Sequence, residues 1–183
     1  MKRDAIEYLL AWRDRVDRKP LVIRGARQVG KTFLVRELAQ CAFDDLVEVD
    51  FENEGDVAGY FTKAKVDATI KLLEAHYGRK IRPGRTLLFL DEVQAAPEVF
   101  ARLRYFHEQM PELHVIATGS LLEFVLEDHD FSMPVGRIEY MHLGPLKFNE
   151  FLRAVGDQAL VDLMKAYTPG DDFPVGIHRR LVD

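Results

Sequence analysis

One octapeptide constrains this chain more than any other stretch: Gly25-Ala26-Arg27-Gln28-Val29-Gly30-Lys31-Thr32. It fits G-x-x-x-x-G-K-[ST], a phosphate-binding loop. It follows a short apolar run, Pro20-Leu21-Val22-Ile23, and precedes a helical pattern from Phe33 to Ala42, the setting such a loop requires. The two glycines let the backbone curl so that successive N–H groups face phosphate oxygens. Lys31 brings a point charge to the β- and γ-phosphates, and the Thr32 hydroxyl is a ligand for Mg²⁺. The helix that opens at Gly30 or Lys31 adds the positive end of its dipole. Gly25 to Thr32, followed by Phe33, are the candidate nucleotide-binding residues. Arg27 and Gln28, inside the loop, are read as facing solvent or a partner rather than the phosphates.

The pattern on either side predicts alternating strands and helices. Asp4 with Glu7 resembles a capping box, and Leu9, Trp12 and Val16 recur at helical spacing, so a helix is expected over 5–17. Strands are expected at 21–24, 46–51, 86–90 and 114–117, with a fifth at 137–142. Between them, Val66, Ile70, Leu73 and Tyr77 mark a helix closed by Gly78, and Pro97 opens another along Val99, Leu103, Phe106 and Met110. Thr86-Leu87-Leu88-Phe89-Leu90 is continuously apolar, as suits a parallel strand buried on both faces. Residues 52–65 carry no clear pattern. A short helix at 121–126, an acidic loop at 127–130 and a helix at 146–155 follow. The fold class is α/β: a three-layer P-loop domain with five parallel strands.

The apolar run ends in Asp91-Glu92, the Walker B arrangement. Asp91 would hold Mg²⁺ through water, completing the cage begun by Thr32. Glu92 stands one residue further, where it can orient and deprotonate the water that attacks the γ-phosphate. The same pair can also be read as an acidic cap of the following helix. P-loop kinases need no such base, and the guanine-reading Asn-Lys-x-Asp of GTPases is absent from the sequence. Water as acceptor and ATP as substrate follow, in the branch that inserts a strand between the P-loop and Walker B strands. There the inserted strand ends in a polar sensor, and Ala117-Thr118-Gly119-Ser120 offers two hydroxyls, Thr118 and Ser120, with Ser120 also able to cap the next helix. Gln94 can hydrogen-bond the attacking water or its base.

Bulk properties exclude other classes. The chain has 183 residues, 48% of them hydrophobic and 30% charged, and a net charge of −5, which gives no overall basic field for nucleic acid. Arg79, Lys80, Arg82 and Arg85 cluster before a strand and read as a solvated loop. Cys41 is the single cysteine, expected to be a buried thiol on the P-loop helix. No apolar run approaches the roughly 20 residues that span a bilayer, and the N-terminus lacks a signal-peptide core, so a cytoplasmic protein is expected. The six histidines have no zinc-ligand spacing.

Five motifs in order carry a resemblance. Gly-Ala-Arg-Gln-Val-Gly-Lys-Thr (25–32), Leu-Asp-Glu-Val-Gln (90–94), Thr-Gly-Ser-Leu-Leu (118–122), Pro-Val-Gly-Arg (134–137) and Leu-Gly-Pro-Leu-Lys-Phe-Asn-Glu-Phe (143–151) resemble a prokaryotic AAA-like P-loop ATPase family. Its members usually carry a C-terminal nuclease-like domain. The resemblance implies Mg²⁺-dependent ATP binding and slow hydrolysis by a domain over 19–156. The resemblance covers roughly residues 15–155; the N-terminal helix in 1–18 precedes that domain, and 157–183 reads as the truncated start of a further segment that leads to a domain absent from this chain. The resemblance gives Arg137 a conditional catalytic role: an arginine after the sensor strand reaches a γ-phosphate in its own subunit or, through self-association, in a neighbour. A salt bridge to the acidic loop or a strand-edge charge is the other reading of Arg137. A second function class stays open, an ATP-dependent switch that orders a surface for a protein or DNA partner, with hydrolysis as reset.

Overall fold

Both faces of every central strand are apolar, and this dictates the architecture. The computed structural model describes residues 2–62, 65–120, 136–168 and 176–177. Its five strands are β1 (Leu21–Arg24), β2 (Asp45–Asp50), β3 (Thr86–Asp91), β4 (His114–Gly119) and β5 (Glu139–His142). They form one all-parallel sheet in the order β2-β3-β4-β1-β5. Alternation along each strand sends side chains to two cores. Leu21, Ile23, Leu87, Phe89 and Ile116 pack under α1 (Ala5–Asp14) and α2 (Lys31–Ala42). Val22, Val47, Val49, Leu88, Leu90, Val115 and Ala117 pack under α3 (Gly59–Thr62), α4 (Val66–Tyr77) and α5 (Pro97–Gln109). A parallel sheet needs such covering on both sides, which makes three layers.

The strand order places β4 between β1, which leads into the glycine-rich loop, and β3, which ends in Asp91, as expected of the inserted-strand branch. Because all strands run the same way, the segments that follow them meet at one edge. Register puts Arg24 level with Gly119 and His142, and Asp50 level with Asp91. Ligands of open α/β sheets bind at this carboxyl edge.

Several local expectations are corrected. The first helix ends at Asp14 rather than 17, because Arg15 turns extended, and Asp4 makes no side-chain cap bond because its own backbone is helical. Cys41 is exposed, its thiol 3.5 Å from the Leu38 carbonyl oxygen. The last turn of α2 outruns the core, whose buried α2 members end at Leu38 and Ala39. β5 begins at Glu139, two residues later than expected. The stretch 52–62, patternless in sequence, forms a 3₁₀ turn (Gly55–Ala58) running into α3, with Val57 and Phe61 buried. The basic cluster, by contrast, is the solvent-exposed loop expected, with surface ion pairs of Arg79 with Asp45, Lys80 with Glu74 and Arg85 with Asp44. The helix expected at 121–126, the acidic loop at 127–130 and Pro134 lie outside the described residues. Among the described residues no helix is long and apolar enough to cross a membrane.

The chain divides into two compact units, Asp4–Pro145 with the sheet, and Met1–Arg3 with Leu146–Asp183. The second contains α6 (Phe148–Ala154) and α7 (Gln158–Ala166), around a small core of Leu152, Leu160 and Val161. Glu150 is its polar centre. Its carboxylate accepts from Arg3 Nε at 3.2 Å in a buried pair and from the Lys147 amide at 2.8 Å, which caps α6.

Candidate active site

The loop after β1 is shaped by two glycines with different tasks. Gly25 has φ +154°, and a Cβ there would lie 2.2 Å from the Leu143 carbonyl oxygen. Only glycine lets the loop pass this close to the end of β5, where the Leu143 amide donates to Arg24 O at 2.7 Å. Gly30 is left-handed at φ +92° and hands the chain to α2, whose first residue is Lys31. The loop thus curls and then opens a helix within six residues.

Lys31 is buried, with Nζ donating to the carbonyl oxygens of Gly25 at 3.0 Å and Ala26 at 2.9 Å. Burial pushes its ammonium below the usual lysine range, while Glu92 and Asp91 pull the other way. Carbonyl dipoles are weak partners for a buried cation, and a phosphate is a better one.

Asp91 is the hub. One carboxylate oxygen accepts from Thr32 Oγ1 at 2.7 Å, and the other accepts from Thr118 Oγ1 and from the Glu92 amide at 3.0 Å. The helix after β1, the tip of β3 and the tip of β4 therefore converge on one buried carboxylate. Glu92 is left-handed at φ +51°, a conformation that costs a non-glycine residue of order 1–3 kcal/mol and concentrates at functional sites. Gln94 Nε2 donates to Glu92 Oε2, while Gln94 Oε1 is buried with no hydrogen-bond partner among the described residues.

Ser120, also buried, takes a different partner from Thr118: Arg27 Nε lies 3.5 Å from its Oγ. The same guanidinium donates to Glu52 Oε1 at 3.1 Å. Ala26, Gln28 and Val29 complete the loop, Gln28 in a left-handed conformation at φ +64°. Phe33, on the first turn of α2, is 47% exposed.

Arg137 is not brought to this site. It stands before β5, whose Glu139 is level with Leu21 at the opposite, amino edge of the sheet. Five residues at roughly 3.3 Å each separate it from the level of His142 and Arg24, about 16 Å along the strands. There it pairs at 2.5 Å with Glu108 near the end of α5, and its side chain stays half exposed.

The residues fit a magnesium–nucleotide pair. Thr32 and Asp91 are hard oxygen donors, as Mg²⁺ prefers, and Mg²⁺ is commonly held by one or two carboxylates plus substrate phosphates. Among the described residues no group of three or more His, Cys, Asp or Glu could hold a metal ion. The Gly25 cradle and the buried Lys31 suit a phosphate group. Glu52 escaped the sequence reading. Its signal was available, since β2 ends in Asp50 beside Asp91, so an acidic residue just after β2 must lie near the tip of β3.

Comparison with family models matches residues 17–152 to the family described as an AAA domain. Comparison with curated proteins finds no match.

Proposed function

This chain belongs to the AAA domain family, and from that premise we propose that it binds Mg·ATP at the carboxyl edge of its sheet and hydrolyses it slowly. A nucleotide-binding, ATPase-like domain is the coarse reading that the family carries. The observation that supports the finer one is the Asp91 carboxylate shared by Thr32 and Thr118, beside a buried Lys31 and a strained Glu92.

Thr32 and Asp91 would hold Mg²⁺, which when bound neutralises charge on the β- and γ-phosphate oxygens. Lys31 exchanges the Gly25 and Ala26 carbonyls for phosphate oxygens. Glu92 accepts a proton from water as the water oxygen attacks the γ-phosphorus. The bond from phosphorus to the bridging oxygen breaks, and ADP leaves with the electron pair. Gln94 holds the Glu92 carboxylate toward that water. Thr118 keeps Asp91 oriented. Turnover is slow because Arg137 lies at the far edge, so any contribution from it requires a second copy.

The test is phosphate release under single-turnover conditions. Glu92→Gln keeps shape but cannot take a proton, and it should bind Mg·ATP near-normally while hydrolysing at least ~10²-fold more slowly. Equal rates for the two proteins would remove Glu92 as base and with it the hydrolase reading.

A further inference from the structure

Arg27 occupies an unusual place for a residue inside a phosphate loop. Its backbone follows β1, yet its guanidinium touches Ser120 after β4 and Glu52 after β2. In the sheet order β2-β3-β4-β1, β3 lies between those two contacts. The side chain therefore reaches across the tip of β3, where Asp91 and Glu92 stand. Its charge is felt at Lys31, which it pushes toward the neutral form.

Glu52 is held out to meet it. Asp50 Oδ1 accepts from the Glu52 amide at 3.0 Å, and Asp50 Oδ2 accepts from Asn53 Nδ2 at 2.6 Å, which fixes the turn. The Phe51 amide donates to Asp91 O at 3.2 Å, tying the same turn to the Walker B strand. Glu54 receives the Tyr77 hydroxyl at 2.8 Å, linking it to α4. By contrast the Arg27–Glu52 pair itself is open to solvent, with side-chain exposures of 68% and 49%. An exposed pair of this kind adds little and exchanges easily for a stronger anion. A terminal phosphate with its several oxygens is such an anion.

We propose that Arg27 is a γ-phosphate ligand supplied in cis, and that Glu52 competes with the γ-phosphate for it. The proposal rests on the ATP reading above and adds a selectivity: the Arg27–Glu52 pair distinguishes triphosphate from diphosphate. When ATP binds, Arg27 leaves Glu52 for the γ-phosphate and the 50–54 turn loses its tie to the phosphate loop. With ADP the pair persists. The turn, joined to β3 and α4, thus carries the nucleotide state to the side of the sheet away from β1.

The experiment is a titration of the full chain, with Mg²⁺, against a non-hydrolysable ATP analogue and against ADP. Variants are Arg27→Gln, Glu52→Gln and the double variant. Arg27→Gln should weaken the analogue about tenfold or more, as expected of a lost charge-assisted contact, and leave ADP unchanged. Glu52→Gln should tighten the analogue about two- to fivefold, again without effect on ADP. In the double variant the Glu52 effect should vanish, because the competition needs Arg27. If Arg27→Gln shifts both nucleotides by the same factor, or neither, Arg27 does not touch the γ-phosphate and the proposal falls. If the unaltered protein binds neither nucleotide, the ATP reading itself fails, a result distinct from loss of selectivity.

Discussion

Gly25→Ala tests whether the fold positions the phosphate loop as described. An ideal Cβ at this position would sit 2.2 Å from Leu143 O, 3.2 Å from Leu143 C and 3.3 Å from Val29 Cγ2. Carbon–oxygen contacts settle at about 3.3 Å or more, so one backbone must retreat by about 1 Å. Retreat of Leu143 stretches the 2.7 Å bond from its amide to Arg24 O, which continues the β1–β5 pairing. Retreat of Gly25 instead moves the carbonyl that receives Lys31. Overpacking of this kind costs ~1–3 kcal/mol, and φ +154° adds strain of ~1–3 kcal/mol for a residue with a side chain. A total of about 2–6 kcal/mol in a domain of this size lowers Tm by roughly 4–24 °C. Thermal melts followed by fluorescence read this directly, with Gly59→Ala as control, because a Cβ at Gly59 meets nothing within 4 Å. The control should keep or raise Tm, since alanine suits a helix better than glycine. A Gly25→Ala protein that melts within about 1 °C of the original, well short of that expected loss, would refute the close approach.

Two further outcomes follow from groups remote from the loop. His114 is buried, edge-on to Trp12 and Phe43, with Nε2–H on Arg13 O at 3.1 Å, and burial, reinforced by Arg18 and Arg13, pushes its pKa down from 6.5 to about 4. Between those values the unfolded chain binds the proton and the folded one does not, so stability is full above pH 6.5 and falls toward pH 4, by up to ~3 kcal/mol from this group. Denaturant melts of His114→Leu should lose that part of the pH slope; an unchanged slope would mean that His114 is not held neutral. For Arg137, 16 Å or so from its own phosphate loop by the strand rise, action in trans predicts that ATPase activity per molecule rises with protein concentration and that Arg137→Ala abolishes the rise. Activity that is flat with concentration and indifferent to the substitution would leave it only its pair with Glu108.

How much of this was readable in advance depended on whether the information was local. The apolar run at 87–90, the Gly-x-x-x-x-Gly-Lys-Thr turn and the Asp91-Glu92 tip each announce their structure within a few residues, so the strands and the core of the candidate site were legible. The approach of Gly25 to Leu143 joins residues more than a hundred positions apart, and only the parallel β1–β5 register makes it. Arg27 reads as a solvent-facing loop residue because nothing nearby marks its target. Its partners, Glu52 and Ser120, come from two other strands. Arg137 illustrates a signal that was present but unread. A residue that precedes a parallel strand must stand at the amino edge, opposite the phosphate loop. The 52–62 stretch was opaque because its buried anchors, Val57, Ala58 and Phe61, are too few and its helical turns too short to set up a period.

The proposed Mg·ATP site turns on Thr32 and Asp91, 2.7 Å apart, sharing one magnesium ion with a bound nucleotide. Its most direct measurement is the calorimetric affinity for ATP with Mg²⁺ and with a chelator, in the unaltered protein and in Asp91→Asn. Mg²⁺ should tighten ATP binding by about tenfold or more in the first, as one charge-assisted contact would, and make no difference in the second. The same magnesium response in both proteins, or none in either, would contradict it.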